Sequence, residues 1–514
     1  MEISKDYAVQ MRGITKVFGN FKALDNVDLD VKKGETHAIL GENGAGKSTL
    51  MNILYGLYEA DSGEIYLNGE RVEIKKPSSA IKSGIGMVHQ HFMLIDKFTV
   101  MQNIILGNET TDKFGIINTR KAKKRVLEII SRYGMKVDLK RRIRSISVGM
   151  QQKVEILKAL YRGAEILILD EPTAVLTPYE VDELLEIIEN LKKDGKTIII
   201  ITHKLKEIKK SSKDCTVIRK GKFVDRVDVE KESEQSLAEK MVGRKVKLSV
   251  EKRPSAPGDI VFEINDLNVK NERGLQAVKN LSMTLRRGEI YGLAGIEGNG
   301  QKELLEAIIG VRHVDAGKIF MNGNEIQNKS TRHILDSKIS VIHEDRHKDG
   351  CVLSMSVADN AILSKYREKP FCINGFLNYE ERDKFTDQLI KNYDVRPIGC
   401  KSSKIRNLSG GNQQKLVIGR EISNNPDLLI AVQPTRGLDV GAIEYVHKIL
   451  VNLRDQGKAV LLISLELDEI LDLSDRIAVI YDGSIAGEFS QEEANENNVG
   501  LLMAGGKYND TQNS

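Results

Sequence analysis

The chain consists of two copies of one sequence module of about 250 residues. Corresponding residues lie 254 positions apart in the early part of the module and 262 positions apart in its later part. The pairs are Gly41 and Gly295, Gln90 and Glu344, Ser147 and Ser409, Glu171 and Gln433, and His203 and Leu465. A single net insertion of eight residues between positions 344 and 409 accounts for both spacings. A repeat of this length is a whole domain rather than a solenoid unit.

Length and composition agree with two domains. The 514 residues exceed one ordinary domain, and a short Pro-rich stretch, Glu251–Gly258, follows the first copy. We therefore expect domains at residues 5–248 and 261–508, joined by a linker at 249–260. No apolar run approaches the roughly 20 residues that span a bilayer, and the amino-terminal segment lacks the apolar core of a signal peptide.

The charge and the cysteines exclude little. A formal net charge of +4 argues neither for nor against binding to nucleic acid. The four cysteines have neither the spacing of a zinc site nor that of a CxxC motif, which fits a reducing compartment and a structural role.

Within the first copy, short apolar segments alternate with segments of helical periodicity. Thr36–Leu40, Glu165–Leu169 and Thr197–Ile201 are predicted as buried strands. An amphipathic helix is predicted over Leu50 to Leu57, and a second over Val181 to Leu191. This alternation predicts a mostly parallel sheet covered on both faces, with ligands bound at the carboxyl ends of its strands.

The segment Gly41–Ser48 matches the pattern GxxxxGK[ST] and lies between a predicted strand and a predicted helix. In this context backbone N–H groups and the helix N-terminus would hold phosphates. Lys47 would reach the β- and γ-phosphates, and Ser48 would bind Mg²⁺. The predicted nucleotide-binding residues of this first glycine loop are Gly41, Glu42, Asn43, Gly44, Ala45, Gly46, Lys47, Ser48 and Thr49.

Five further residues extend this interpretation. Asp170 and Glu171 follow an apolar strand, where Asp170 would hold Mg²⁺ and Glu171 would polarise the attacking water. The alternative is that the pair merely begins a solvated turn. Gln90 would sense the metal and the γ-phosphate, His203 would donate to the γ-phosphate, and Phe18 would stack on adenine. Taken singly, each of these last three would be an ordinary surface or core residue.

Taken together, these motifs resemble an ABC transporter ATP-binding subunit of the duplicated type that serves sugar and nucleoside importers. The resemblance covers roughly residues 8 to 508, with the motifs in family order. It implies an α/β protein of two tandem P-loop NTPase domains of ABC type. Each domain would have a mostly parallel sheet core, a helical subdomain and an antiparallel β part. In this family the signature of one domain contacts the γ-phosphate bound by the other, in a head-to-tail sandwich.

The two copies have lost complementary motifs. The first signature, Ile146–Met150, reads Ile-Ser-Val-Gly-Met, whereas the second, Leu408–Asn412, is an intact Leu-Ser-Gly-Gly-Asn. The second glycine loop, Gly295–Lys302, ends in glutamine and lysine instead of lysine and serine. The other losses in the second copy, each given after its counterpart, are Phe18 to Glu272, Gln90 to Glu344, Asp170 to Val432, Glu171 to Gln433 and His203 to Leu465.

These losses predict one hydrolytic site for ATP and Mg²⁺. Its expected catalytic residues are Lys47, Gln90, Glu171 and His203. Its expected metal ligands are Ser48, Gln90 and Asp170. Ser409, Gly410 and Gly411 of the second signature would close the site. The second glycine loop keeps Gly295, Gly298 and Gly300, so passive binding of a nucleotide there remains open.

The resemblance implies a motor subunit that couples ATP hydrolysis to solute import. It would lie at the cytoplasmic face of the cell membrane as a peripheral protein, docked on two membrane-spanning permease subunits, expected to be a heterodimer. An extracytoplasmic solute-binding protein would deliver the solute. Because one chain supplies both ATPase domains, we expect neither an ATPase homodimer nor a nucleic-acid partner.

The substrate follows from the resemblance alone. Met87–Val100, Ile146–Gln152 and Ala431–Asp439 are similar to the nucleoside branch, and a pentose or hexose importer is the alternative. A soluble tandem ATPase of the ribosome would carry a long charged helical linker and two intact sites. A DNA-repair ATPase would carry zinc-type cysteine pairs or coiled-coil insertions. The sequence has none of these features.

Overall fold

The computed structural model describes residues 3–90, 92–112, 114–173, 176, 178–202, 204–246, 252–503, 505 and 506, with the backbone alone for 178 and 179. The chain divides into two compact units, Met1–Leu248 and Ser249–Ser514. The finer limits of the domains and of the linker stay predictions. Within the described residues, no helix combines the length and the apolar character needed to cross a membrane.

The first unit alternates strands and helices along the chain. Its strands are β1 (Tyr7–Phe18), β2 (Phe21–Lys32), β3 (Thr36–Leu40), β4 (Ser62–Leu67), β5 (Glu70–Val72), β6 (Ile85–Val88), β7 (Ile166–Asp170), β8 (Thr197–Ile201), β9 (Asp214–Arg219) and β10 (Lys222–Asp228). Its helices are α1 (Lys47–Leu54), α2 (Pro77–Lys82), α3 (Val100–Ile105), α4 (Thr119–Arg132), α5 (Val148–Tyr161), α6 (Pro178–Lys193), α7 (Leu205–Ser211) and α8 (Glu234–Val242), with a 3₁₀ turn at Ile143–Ser145.

Two sheets form the frame of the first unit. The larger has the order β10-β9-β3-β8-β7-β6 and is parallel except for the antiparallel pair β9–β10. The smaller, β2-β1-β4-β5, is antiparallel. One core packs α1 between the two sheets, and another joins α3, α4 and α5 to the other face of the parallel sheet. The predicted α/β fold with an antiparallel part and a helical part is confirmed.

Two details of the sequence prediction were wrong. The predicted strand Glu165–Leu169 is shifted by one residue to Ile166–Asp170, so Asp170 ends β7 at the tip of the buried strand, and the alternative that it begins a solvated turn does not apply. The helix predicted to reach Leu57 ends at Leu54, because Gly56 takes φ +78°, and Leu57 is 45% exposed. Glycine adopts this left-handed conformation without the Cβ clash that other residues meet.

The second unit repeats the same order of elements, with one added hairpin and two added short turns. Its strands are β11 (Ile260–Lys270), β12 (Gln276–Arg286), β13 (Ile290–Ala294), β14 (Ala316–Met321), β15 (Asn324–Glu325), β16 (Ile339–Ile342), β17 (Cys372–Ile373), β18 (Phe376–Leu377), β19 (Leu428–Val432), β20 (Ala459–Ser464), β21 (Arg476–Tyr481) and β22 (Ser484–Ser490). Its α-helices are α9 (Gln301–Ile308), α10 (Thr331–Asp336), α11 (Val357–Ala361), α12 (Tyr379–Asn392), α13 (Gly410–Ser423), α14 (Val440–Asp455), α15 (Leu467–Leu473) and α16 (Glu496–Met503).

The sheets of the second unit match those of the first. The larger sheet has the order β16-β19-β20-β13-β21-β22, and the antiparallel sheet has the order β12-β11-β14-β15. A π-helical turn at Arg346–Gly350 and 3₁₀ turns at Cys400–Ser402 and Ile405–Asn407 lie between the strands and helices, and β17 and β18 form a separate hairpin. The duplication read from the sequence is therefore a duplication of the fold.

Candidate functional site

The first glycine loop connects β3 to α1 at the carboxyl end of the parallel sheet. All five residues of β3 are buried, and β3 lies between β8 and β9. Gly46 caps α1 with φ +103°, and a Cβ there would lie 2.7 Å from Leu24 Cδ2 and 2.8 Å from the Ala23 carbonyl oxygen. Only glycine fits this position, so the loop geometry depends on Gly46.

We expect Gly46→Ala to lower the Tm of the chain by about 5 °C or more, because it adds both backbone strain and a steric overlap. Gly44→Ala is the matched control. Gly44 also has a positive φ, but a Cβ there would meet nothing within 4 Å. Differential scanning calorimetry checks the difference, and equal losses of Tm for the two variants would contradict this account of the loop.

Lys47 is folded back onto the loop that precedes it. Its Nζ donates to the carbonyl oxygens of Gly41 at 2.6 Å and Glu42 at 3.0 Å, and the residue is 5% exposed. Burial lowers the pKa of Lys47, and the carboxylates of Glu171, Asp170 and Glu42 oppose that shift. A buried ammonium held by loop carbonyls is suited to contact phosphate oxygens that enter the loop.

Ser48 and Asp170 are brought together across 122 residues of sequence. Ser48 Oγ donates to Asp170 Oδ1 at 3.4 Å. Burial raises the pKa of Asp170 to about 6, with the charge of Glu171 adding to the rise and the Ser48 hydroxyl opposing it. A hydroxyl and a carboxylate are ligands that Mg²⁺ accepts. Among the described residues no three His, Cys, Asp or Glu side chains form a metal-binding group.

The other predicted residues are distributed around the same sheet edge. Glu171 has φ +50°, and its N–H donates to the Ile201 carbonyl oxygen at 2.9 Å, which fixes it directly after β7. Gln90 is exposed two residues beyond β6, the strand paired with β7. His203 lies outside the described residues, one position after the described Thr202.

Phe18 stands at the end of β1 with an aromatic partner that the sequence analysis missed. It is 43% exposed, its ring centroid lies 5.3 Å from that of Tyr58 in an edge-to-face arrangement, and Lys16 Nζ lies 5.6 Å from its ring. Such an exposed aromatic pair is suited to stack on a base. Tyr58 is 40 positions away in sequence, so only the folded hairpin and loop reveal the pair.

An ion pair replaces these aromatic rings in the second unit. Glu272 and Arg312 occupy the positions that correspond to Phe18 and Tyr58. Arg312 Nη2 lies 3.8 Å from Glu272 Oε1 and 2.6 Å from Glu306 Oε2. The second unit therefore lacks an apolar surface for a base at this point.

The second glycine loop has the same backbone conformation as the first but lacks the buried ammonium of Lys47. Gly300 has the same φ of +103° as Gly46, and Gln301 Nε2 donates to the Ile296 carbonyl oxygen at 3.0 Å. That carbonyl corresponds to the one of Glu42 that Lys47 contacts. The ammonium of Lys302 does not fill the place of Lys47, because it is 63% exposed and lies 3.8 Å from Glu306.

The residue after β19 has the same backbone conformation as Glu171 but lacks its carboxylate. Gln433 has φ +47°, and its N–H donates to the Ile463 carbonyl oxygen at 2.8 Å, as Glu171 does in the first unit. Its amide cannot accept a proton as a carboxylate does. Val432 ends β19, and its side chain has no oxygen with which to bind a metal.

Each signature lies at the N-terminus of a helix, but the two differ in their neighbours. At the second signature, Ser409 precedes α13, Asn412 Nδ2 donates to its Oγ at 2.8 Å, and a Cβ on Gly410 would lie 2.6 Å from Arg346 Nη2. Gly411 lies beside Ala442: a Cβ added to Gly411 would be 3.4 Å from the Cβ of Ala442.

At the first signature a carboxylate takes the place of that alanine. Ser147 caps α5 by accepting the Met150 N–H at 3.3 Å, and its hydroxyl donates to Glu180 Oε1 at 3.3 Å. A Cβ on Gly149 would lie 2.3 Å from the same Oε1. Glu180 corresponds to Ala442 in the repeat. This difference is visible in the sequence, but only the structure shows that Glu180 contacts the signature.

The fold, the paired glycine loops and the two signatures define a tandem nucleotide-binding protein. A family model for ABC transporters matches residues 24–174 and 278–436. The chain belongs to the ABC transporter family.

Three curated relatives match along nearly their whole length. The chain is 54% identical over 508 residues to the nucleoside import ATP-binding protein NupA of Lactococcus lactis subsp. cremoris, covering 99% of this chain and 100% of the relative. It is 54% identical over 500 residues to the guanosine import ATP-binding protein NupO of Bacillus subtilis, with 97% and 98% covered. It is 39% identical over 499 residues to the ribose import ATP-binding protein RbsA of Caldanaerobacter subterraneus, with 97% and 99% covered.

Proposed function

We propose that this chain is the ATP-hydrolysing motor subunit of an ABC importer for nucleosides. The observation that carries the proposal is the identity of 54% to relatives named for nucleoside and guanosine import, against 39% to one named for ribose import. All three relatives are named as import ATP-binding proteins, which supports the motor role for both substrate classes.

The proposed hydrolytic site combines the first glycine loop with the second signature. In it the loop from Gly41 to Thr49 holds the phosphates and Phe18 stacks on adenine. Ser48, Gln90 and Asp170 would hold Mg²⁺, which neutralises charge on the phosphates when bound. Glu171 accepts a proton from the attacking water, and Lys47 and His203 donate to the phosphate oxygens. Ser409, Gly410 and Gly411 complete the site. The complementary losses in the two copies support this combination, because only this pairing is intact.

The proposed setting is the cytoplasmic face of the cell membrane. The chain would dock there on two membrane-spanning permease subunits, most simply a heterodimer because the two units of the chain differ. An extracytoplasmic solute-binding protein would supply the solute. One chain provides both nucleotide-binding units, so the importer needs no second copy of it.

The substrate is tested by uptake of labelled nucleosides and labelled pentoses into cells that carry the wild-type chain or Lys47→Ala. The variant removes the buried ammonium from the first glycine loop. We expect it to abolish nucleoside uptake and to leave pentose uptake unchanged. Loss of pentose uptake alone would instead support the sugar importer. If neither uptake changed while protein synthesis slowed, the transporter role itself would be wrong.

The raised pKa of Asp170 predicts a pH dependence of metal-assisted nucleotide binding. A carboxyl with a pKa of about 6 is charged at pH 8 and loses its charge as the pH falls through 6. We expect Mg·ATP to bind the wild-type chain more tightly than Asp170→Asn at pH 8. The difference should shrink about tenfold per pH unit below 6, because protonated Asp170 is neutral like asparagine. Isothermal titration at several pH values checks this, and a constant ratio from pH 8 to 5.5 would refute it.

A further inference from the structure

The two signatures lie beside side chains of opposite charge. The carboxylate of Glu180 accepts a hydrogen bond from Ser147 of the first signature, and the guanidinium of Arg346 lies beside Gly410 of the second. The position that corresponds to Arg346 in the first copy is Phe92, and the position that corresponds to Glu180 in the second is Ala442. The intact signature thus has an added cation, and the damaged signature has an added anion.

The backbone around Arg346 is held in place from both sides. Asp345 accepts the N–H groups of His347 and Lys348 and so caps the π-helical turn Arg346–Gly350. His347 Nε2 lies 2.8 Å from Gln413 Oε1 on α13, the helix that begins at the second signature. The turn is therefore attached to the signature helix itself.

A backbone carbonyl group, rather than a carboxylate, holds the guanidinium of Arg346. Its Nη1 donates to the Arg436 carbonyl oxygen at 3.0 Å, while its Nε is buried and has no hydrogen-bond partner within the described residues. The acidic groups nearby are Asp345, whose carboxylate caps the turn, and Glu344, which is paired with the Arg436 side chain. Within the described residues Arg346 forms no ion pair, although burial lowers its pKa.

An arginine in this state has a specific chemical use. The guanidinium presents N–H donors in a rigid planar fork that matches phosphate oxygens. Its Nη2 lies where it would contact whatever approaches Gly410, since a Cβ on that glycine would be only 2.6 Å away. Phosphoryl transfer depends on cations that neutralise charge on the transferred group, and a well-placed arginine is worth about 10³-fold or more in rate.

We propose that Arg346 is a further catalytic residue, whose guanidinium donates to the γ-phosphate held by the first glycine loop and neutralises charge that develops there. This proposal rests on the proposed combination of that loop with the second signature. In the reaction, the water oxygen bonds to the γ-phosphorus, the bond to the β–γ bridging oxygen breaks, and Glu171 takes the proton. ADP and phosphate are the products. Arg346 forms and breaks no covalent bond.

The same reasoning explains the first signature. A γ-phosphate brought to Ser147 would approach the Glu180 carboxylate, which accepts a hydrogen bond from the Ser147 hydroxyl at 3.3 Å, and neighbouring anions repel each other. The second glycine loop lacks counterparts of Lys47 and Ser48. The negative charge of Glu180 at the first signature is then a second reason why that loop would not support hydrolysis.

The test compares four variants of the full-length chain: Arg346→Ala, Arg346→Lys, Lys348→Ala and Lys47→Ala. Lys348 is an exposed cation of the same turn, so Lys348→Ala removes the same charge without touching Gly410. The measurements are kcat for ATP hydrolysis, the affinity for ADP and the Tm. We expect Arg346→Ala to lower kcat about 10³-fold, as for other arginines that neutralise the transferred phosphoryl group, with ADP affinity and Tm unchanged, since ADP lacks the γ-phosphate. Arg346→Lys should recover part of the rate, and Lys348→Ala should stay within about twofold of the wild type.

Three results would overturn the proposal. If Lys47→Ala abolishes hydrolysis and Arg346→Ala stays within about twofold of the wild type, the proposed function stands and Arg346 has no part in it. If Arg346→Ala lowers the Tm and ADP affinity together with kcat, and Arg346→Lys does not restore the rate, Arg346 is structural. If Lys47→Ala leaves hydrolysis unchanged, the proposed site itself is wrong, whatever Arg346 does. Should the alanine variant not fold, Arg346→Gln takes its place, because it keeps a polar side chain with an NH₂ donor but removes the charge.

Discussion

Glu171→Gln is expected to lower kcat for ATP hydrolysis about 10³-fold, because the amide cannot accept the proton of the attacking water. The substitution should leave the fold intact. The second unit already holds a glutamine, Gln433, at the same point after its strand, with φ +47° against +50° for Glu171 and the same type of backbone hydrogen bond. Glutamine therefore fits this backbone, and the loss of rate would report chemistry rather than unfolding.

The matched control is Gln433→Ala in the second unit. We expect it to hydrolyse ATP within about twofold of the wild-type rate, since the second unit supplies no general base. Steady-state hydrolysis by the full-length variants, together with the Tm of each, distinguishes the two. Equal losses of rate in Glu171→Gln and Gln433→Ala would mean that both units hydrolyse ATP, which contradicts the proposed single site.

The two signature serines are expected to respond in opposite ways. Ser409→Ala should lower kcat about 10²-fold, because it removes a donor proposed to face the γ-phosphate. It should change the Tm little, since the Ser409 side chain does not cap α13. Ser147→Ala should leave kcat within about twofold of the wild type. It should cost about 1 kcal/mol of stability, because Ser147 caps α5 through the Met150 N–H.

Hydrolysis rates and calorimetric Tm values of the two variants test this contrast directly. The control is the double variant, for which we expect the loss of rate from Ser409→Ala and the loss of Tm from Ser147→Ala to add. If Ser147→Ala lowered kcat as much as Ser409→Ala does, the first signature would be active, and the role given to the Glu180 carboxylate would be wrong.

Much of the fold and of the phosphate-binding loop could be predicted from the sequence, because both depend on local patterns. The apolar strands Thr36–Leu40 and Thr197–Ile201 have the predicted bounds, and the glycine loop lies between a strand and a helix as expected. Because the chain is a duplication, corresponding residues of the two copies can be compared directly at a fixed spacing. This comparison shows which motif each copy has lost.

The residues that the sequence analysis missed depend on packing between distant segments. Ser147 and Glu180 are 33 positions apart and meet because α6 lies near the N-terminus of α5. Arg346 reaches the second signature, 63 positions further along the chain, only because its turn is attached to α13. No periodicity or motif encodes such contacts. The helix end near Leu57 was missed for a local reason, since a positive φ at Gly56 stops the helix before the apolar pattern ends.

The central claim is that each chain has one hydrolytic site, built on the first glycine loop. The most direct measurement is the amount and position of ADP trapped with vanadate in the full-length chain, using a photoreactive nucleotide to label the segment that holds it. The proposal predicts one trapped ADP per chain, cross-linked to the first unit and absent in Lys47→Ala. Two trapped nucleotides per chain, or one cross-linked to the second unit, would contradict it.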